Sequence, residues 1–212
     1  MKTCSYIDKK SRAVILCDVV FWGALTAALG LDATLLLTLA KPGLTIWPPP
    51  GRDTWQYRLT WALFGIGAVG FLVVGGLDAG SFGLAQWMGK SGTLIVGSAL
   101  FAFGTALASY AMGYLGRQGA LGLEASLVTG GPYAVSRNPG YLGDLILVAG
   151  YTVLSDSRLA GIVGAVAAVW FVLAPFAEEP WLNERYGEAY RRYKERCPRF
   201  IGWAPPESLI LN

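Results

Sequence analysis

The sequence predicts an all-α, polytopic membrane protein with about five transmembrane helices and a C-terminal helical hairpin. Three observations carry that reading. Hydrophobic residues make up 54% of the 212 and charged residues only 15%, too apolar a mixture for an ordinary soluble domain. The apolar residues are also clustered, and the stretches 59–77 and 93–115 hold no charge at all. Finally, the chain has no histidine, and its three cysteines (Cys4, Cys17 and Cys197) lack paired spacing. Metal sites of the His/Cys type and histidine-based triads are thereby set aside.

The elements follow in order. Ala13 to Ala40 is an apolar run of 28 residues interrupted only by Asp18 and Asp32. Lys9, Lys10 and Arg12 precede it as in a signal peptide, but the run is about twice the length of a signal core. It reads as a retained span. Lys41 to Tyr57 is a Pro-rich connection whose Trp47 and Trp55 suit a membrane interface. Leu59 to Leu77 and Thr93 to Leu115 are the second and third spans; at about 1.5 Å per residue each crosses a hydrocarbon core of roughly 30 Å. Between them, Asp78 to Gly92 is a Gly-rich loop or interfacial helix around Trp87. Gly116 to Asn138 is the longest polar stretch between apolar segments.

Tyr141 to Leu154, about 21 Å as a helix and containing Asp144, pairs with Leu159 to Ala177 as a hairpin. Its turn falls at Ser155-Asp156-Ser157-Arg158. The tail from Pro180 to Pro198 reads as a separate helix, with Pro180 in its first turn and Glu178 and Glu179 at its positive end. Tyr186, Tyr190, Tyr193 and Cys197 fall on one stripe of that helix, while Arg191, Arg192 and Lys194 lie opposite.

The net charge of +3 gives no case for nucleic acid binding. Its distribution speaks to orientation. With the C-terminal tail in the cytoplasm, eleven of the seventeen Lys and Arg fall inside and six outside. The sum favours that placement, while the basic N-terminus opposes it.

Several short patterns compete for a functional reading. Gly65-Ile66-Gly67-Ala68-Val69-Gly70 has the spacing of a dinucleotide loop, but it sits inside an uncharged span with no βαβ context; close packing of helices through small residues explains it better. Gly89-Lys90-Ser91 is an incomplete phosphate loop. Asp18, Asp32 and Asp144 are acids within apolar runs and so are functional candidates, set against satisfied structural acids. Thr129 to Gly143 (TGGPYAVSRNPGYLG) has Gly and Pro enough to expose backbone amides, and Arg137 is a permanent donor suited to a carboxylate. The same run also reads as a membrane-insertion loop with Arg137 snorkelling and Pro139 opening a helix. In an unbroken helix, Glu178 and Arg185 share a face and Glu179 points elsewhere.

Two of these runs, taken together, resemble a known family. Gly131-Pro132-Tyr133, then Arg137-Asn138-Pro139-Gly140-Tyr141-Leu142-Gly143, precede the hairpin. Glu178-Glu179-Pro180-Trp181-Leu182, then Arg185-Tyr186-Gly187, Tyr190 and Tyr193, follow it. In order and spacing this is similar to the isoprenylcysteine carboxyl methyltransferase and phospholipid methyltransferase group of integral membrane enzymes. The likeness runs from about Leu127 to Trp203. Asn138 departs from it, standing where the group usually has histidine.

The resemblance implies an S-adenosylmethionine-dependent methyltransferase acting on a lipophilic acceptor that arrives sideways from the bilayer, among membrane lipids. It divides the chain into three N-terminal spans (1–115) and a catalytic region (116–212). It implies a cofactor pocket on the cytoplasmic face, lined by Leu127, Val128, Gly131, Tyr133, Arg137, Asn138, Tyr141 and Leu142. Arg137 would take the methionine carboxylate and Glu178 the amino group or ribose, with Glu179 and Arg185 facing the reacting centre. The acceptor stays open among the carboxylate of an isoprenylcysteine-like molecule, a lipid amine such as phosphatidylethanolamine, a quinone-like lipid and a small thiol, the lack of histidine leaning mildly toward an anion. Two other readings compete: a membrane reductase-like enzyme, and a non-enzymatic transport or scaffold protein using the three intramembrane acids.

Overall fold

The computed structural model describes residues 2–41, 43–123 and 125–201. The side chains of Cys4, Lys9 and Lys10, and Trp203 at the end of the resembling stretch, lie outside the described residues. Within them the chain is wholly helical: α1 (Lys2–Ala40), α2 (Trp55–Leu77), α3 (Leu84–Ala120), α4 (Pro139–Ser155), α5 (Arg158–Tyr186) and α6 (Glu188–Arg196). A 3-10 turn covers Gly131–Ala134. Four helices are long and apolar enough to cross a bilayer: α1 from Arg12, α2, α3 and α5. The fifth apolar helix, α4, has 17 residues, the short arm that the sequence predicts.

Local chemistry sets the boundaries. Thr54 caps α2, its hydroxyl accepting from the Tyr57 amide, and Ser157 caps α5 by accepting from Ala160. Pro139 opens α4, where its missing N–H costs nothing. The α4–α5 hairpin turns at the predicted place, with Asp156 left-handed at φ 51°. Its carboxylate accepts from the amides of Leu84 (2.7 Å) and Ala85 (3.2 Å), and so caps α3. Asp78 accepts from Ser81, Ser157 and the Leu159 amide. These two acids lock the α2–α3 turn onto the α4–α5 turn at one end of the molecule. Trp87, on the first turn of α3 before a kink at Gly89, is 91% exposed, as an interfacial residue would be.

One expectation is corrected. The chain does not restart at Pro180: α5 runs unbroken through Pro175 and Pro180 to Tyr186, and the break comes at Gly187 (φ 54°, ψ −126°). Each proline removes one backbone donor without ending the helix, Pro175 at a buried and Pro180 at an exposed position, whereas Gly187, at positive φ, redirects the chain. Glu178 and Glu179 therefore sit inside a long helix rather than at the head of a new one.

The packing has two parts. Helices α1, α2 and α5 pack together around Phe21, Phe71, Val74 and Val163, and α3 packs lengthwise on α4. The α3–α4 seam depends on glycine. A Cβ on Gly104 would lie 2.4 Å from the Leu147 nitrogen, and one on Gly150 would lie 2.3 Å from that of Phe101. Within the G-x-G-x-x-G run, Gly70 lies against Ala24 of α1, consistent with a packing role, but Gly65 has nothing nearby. Helices α2 and α3 both flank α4 but make at most marginal contact with each other.

Candidate functional site

The end of the molecule opposite the two locked turns is built from four segments: the α1–α2 loop, the stretch 121–138, the last turns of α5, and α6 with the chain beyond it. Gly131 bends the second of these with φ 59°, and a Cβ there would lie 2.3 Å from the Tyr114 ring, so only glycine fits. The turn it starts buries Tyr133, whose carbonyl accepts from the Tyr193 hydroxyl (2.6 Å) and the Cys197 thiol (3.3 Å). The Tyr186 hydroxyl donates to the Ala125 carbonyl. The aromatic stripe that the sequence predicts is therefore turned inward, stapling α5 and α6 to the loop.

The two acids on α5 have separate partners. Glu178 Oε1 accepts from Trp47 Nε1 at 2.7 Å and from the Tyr141 hydroxyl. Trp47 is 4% exposed; its ring centroid lies 5.1 Å from that of Trp170, and Tyr141 stacks edge-on to the same Trp170 at 5.6 Å. Glu179 binds two arginines. Arg137 Nη1 donates to its Oε1 at 2.9 Å, and Arg199 donates Nε to Oε1 (2.8 Å) and Nη2 to Oε2 (3.0 Å). Among the described residues, Arg137 Nε is buried without a hydrogen-bond partner.

Between these groups lies a cavity of about 540 Å³, within the range of roughly 300–1,000 Å³ usual for small-molecule sites. Leu127, Val128, Tyr133, Arg137, Asn138, Tyr141 and Glu178 all line it. Gly131, Leu142, Glu179 and Arg185 do not. Gly131 shapes the loop, Glu179 faces the arginine pair, and Arg185 is exposed one helical turn beyond the lining residues Trp181 and Leu182. Arg137 and Glu178 thus open onto one hollow. Asp144 lines it as well, one turn along α4 from Tyr141.

The hollow is long. Glu178 and Val163, fifteen residues apart on α5, both line it, so it runs about 22 Å along that helix. Its far part is apolar, walled by Phe71, Leu72, Phe101, Leu147 and Val148. Around the near part the phenols stay protonated at neutral pH. Burial, then the Glu178 charge, raises Tyr133 above the usual phenol range, and burial with the Glu179 charge pushes Tyr190 up to about 12. These tyrosines offer hydrogen bonds and ring faces, not bases.

Sequence reasoning did not find Trp47 or Arg199. Trp47 carries only an interfacial signal, and Arg199 follows the last tyrosine with no motif of its own.

Residues 93–189, from α3 into α6, match the phospholipid methyltransferase family. No curated protein and no solved structure matches the chain. The match falls in the group that the motif resemblance names, and with the apolar helices it supports methyltransferase chemistry in an integral membrane protein.

Proposed function

We propose that the chain methylates a lipophilic acceptor, using S-adenosylmethionine as donor; the match of residues 93–189 to the phospholipid methyltransferase family supports this reading. The observation that carries this reading is the shared opening of Arg137 and Glu178 onto one hollow whose other half is apolar.

The residues present suit such a donor. Arg137 has a buried, unpartnered Nε, a donor with no acceptor among the described residues. A carboxylate is the group that guanidinium geometry prefers, so Arg137 would hold the methionine carboxylate. Glu178, oriented by Trp47 and Tyr141, would take the amino group or the ribose hydroxyls. Tyr133, Tyr190 and Trp181 give ring faces for the adenine and for the cationic centre. When bound, S-adenosylmethionine supplies a methyl group on a sulfonium, whose departure as a neutral thioether drives in-line displacement once the nucleophile is aligned.

The charges of the hollow favour a lipid amine over a carboxylate as acceptor. Among the described residues, Arg137 is the cation lining it, against Glu178 and Asp144, and Arg185 is exposed outside. An anionic acceptor would meet two acids and compete with the donor for Arg137. An ammonium headgroup instead finds Asp144, which accepts the proton and leaves the nitrogen lone pair free for methylation. Glu179 acts through Arg137. The acceptor chain would lie along the apolar half of the hollow, reached from the lipid through the sparsely packed gap between α2 and α3. The donor would arrive from the cytoplasm, since the hollow lies at the end carrying the excess of Lys and Arg.

The test is methyl transfer from labelled S-adenosylmethionine by the purified protein in nanodiscs. Label is expected in phosphatidylethanolamine-like amine lipid. Label confined to a prenylcysteine acid would overturn the amine assignment, and label in neither would overturn the lipid acceptor.

A further inference from the structure

We propose that Arg199 is a positioning residue for the donor site: by occupying Glu179, it leaves the Arg137 guanidinium available to the donor's carboxylate. This rests on the function proposed above.

The division of hydrogen bonds is unequal. Arg199 grips Glu179 as a fork, Nε to Oε1 and Nη2 to Oε2, while Arg137 gives it a single bond from Nη1. Bidentate guanidinium–carboxylate pairs are the stronger and more directional kind. Among the described residues, Glu179 Oε2 has Arg199 alone as its partner, while Oε1 is shared by the two arginines.

Charge gives the same answer. The side chains of Arg137 and Glu179 are 11% and 16% exposed, so solvent screens them little. Alone, they would form a neutral pair, and a carboxylate ligand would have to displace Glu179. With Arg199 added, two guanidiniums face one carboxylate. One positive charge is left over at Arg137, whose Nε has no acceptor among the described residues. An arriving carboxylate neutralises that charge without breaking the triad.

Arg199 is held in place by the chain around it. The Arg137 amide donates to the Pro198 carbonyl at 2.9 Å, and Asn138 Nδ2 and Ser136 Oγ donate to the Arg199 carbonyl at 2.9 and 3.3 Å. The Phe176 ring lies under its guanidinium, 4.0 Å away. Asn138, at the position where histidine is usual in the group it resembles, thus holds the Arg199 backbone with a carboxamide, a donor at every pH.

The experiment titrates S-adenosylmethionine and 5′-methylthioadenosine, which keeps the adenosine but lacks the amino-acid part, into the full chain in nanodiscs. Arg199→Gln is expected to weaken S-adenosylmethionine about tenfold and 5′-methylthioadenosine less than about twofold. Arg199→Lys, which keeps the charge but loses the fork on Glu179 and the stacking on Phe176, is expected to fall between wild type and Arg199→Gln. The double variant Arg137→Ala/Arg199→Gln should bind no more weakly than Arg137→Ala alone, because the second residue acts through the first. Parallel losses for the two ligands, additive losses in the double variant, or a Lys variant as weak as Gln would each overturn the role. Wild-type protein that binds neither ligand overturns the methyltransferase reading, before any variant is compared.

Discussion

The Trp47 indole N–H donates to Glu178 across 131 positions of sequence, joining the α1–α2 loop to the last turns of α5. The family match begins at residue 93, so half of the clamp on this acid comes from outside it. The N-terminal spans therefore do more than anchor the chain. Thr38, near the end of α1, fixes the loop by accepting from the Ile46 and Trp47 amides.

Trp47→Phe keeps a ring against Trp170 and Phe64 but removes the donor. A hydrogen bond to a charged group contributes about 1.5–3 kcal/mol. We expect donor affinity to fall by about tenfold or more, with a small change in thermal midpoint. Calorimetry beside a thermal-shift assay separates the two, and unchanged affinity would remove Trp47 from the site.

The glycine seam predicts a contrast. Gly104→Ala puts a methyl against α4 backbone, which has no room to yield, and overpacking of this kind costs about 1–3 kcal/mol. Gly65→Ala meets nothing within 4 Å and should stabilise α2 by about 0.5–1 kcal/mol. Thermal midpoints in one detergent test both signs; equal shifts would contradict the α3–α4 packing.

At the opposite end, Asp78 makes stability depend on pH. Burial alone would raise its carboxyl. Hydrogen bonds from Ser81, the Leu159 amide and Ser157, with the Arg158 charge, hold it below the usual range. A group whose folded value is depressed stabilises the fold above its unfolded value and stops doing so as pH falls through the folded one. The thermal midpoint should therefore drop as pH is lowered below the ordinary carboxylate range. Asp78→Asn should flatten part of that drop, and an identical profile in the variant would exclude Asp78 as a cause.

Topology gives a fourth prediction. Lys90→Cys at the outer end and Glu188→Cys at the site end, placed in a Cys-free background, should react with an impermeant maleimide from opposite sides. Labelling of Glu188→Cys in intact cells would invert the proposed orientation.

Much of this architecture was legible in the sequence, for local reasons. The hairpin corner could be read because Ser155 to Arg158 interrupts two apolar runs, and the capping residues stand where the turn needs them. The run from Thr129 to Gly143, which holds the loop before α4 and the first turn of that helix, was legible through its Gly and Pro spacing. Pro180 misled because the same residue starts helices and is also tolerated inside long ones; the break belongs to Gly187, a weaker local signal. Trp47 and Arg199 were not legible at all. Their partners lie 131 and 20 positions away, and only the packed fold brings them together.

The central claim is that Arg137 and Glu178 hold S-adenosylmethionine in one hollow, and calorimetric titration of the donor into wild type, Arg137→Ala and Glu178→Gln tests it most directly. The account predicts a single micromolar site in wild type and affinity weakened by about tenfold or more in each variant, with both variants still folded. No heat in wild type, or undiminished affinity in Arg137→Ala, would contradict it.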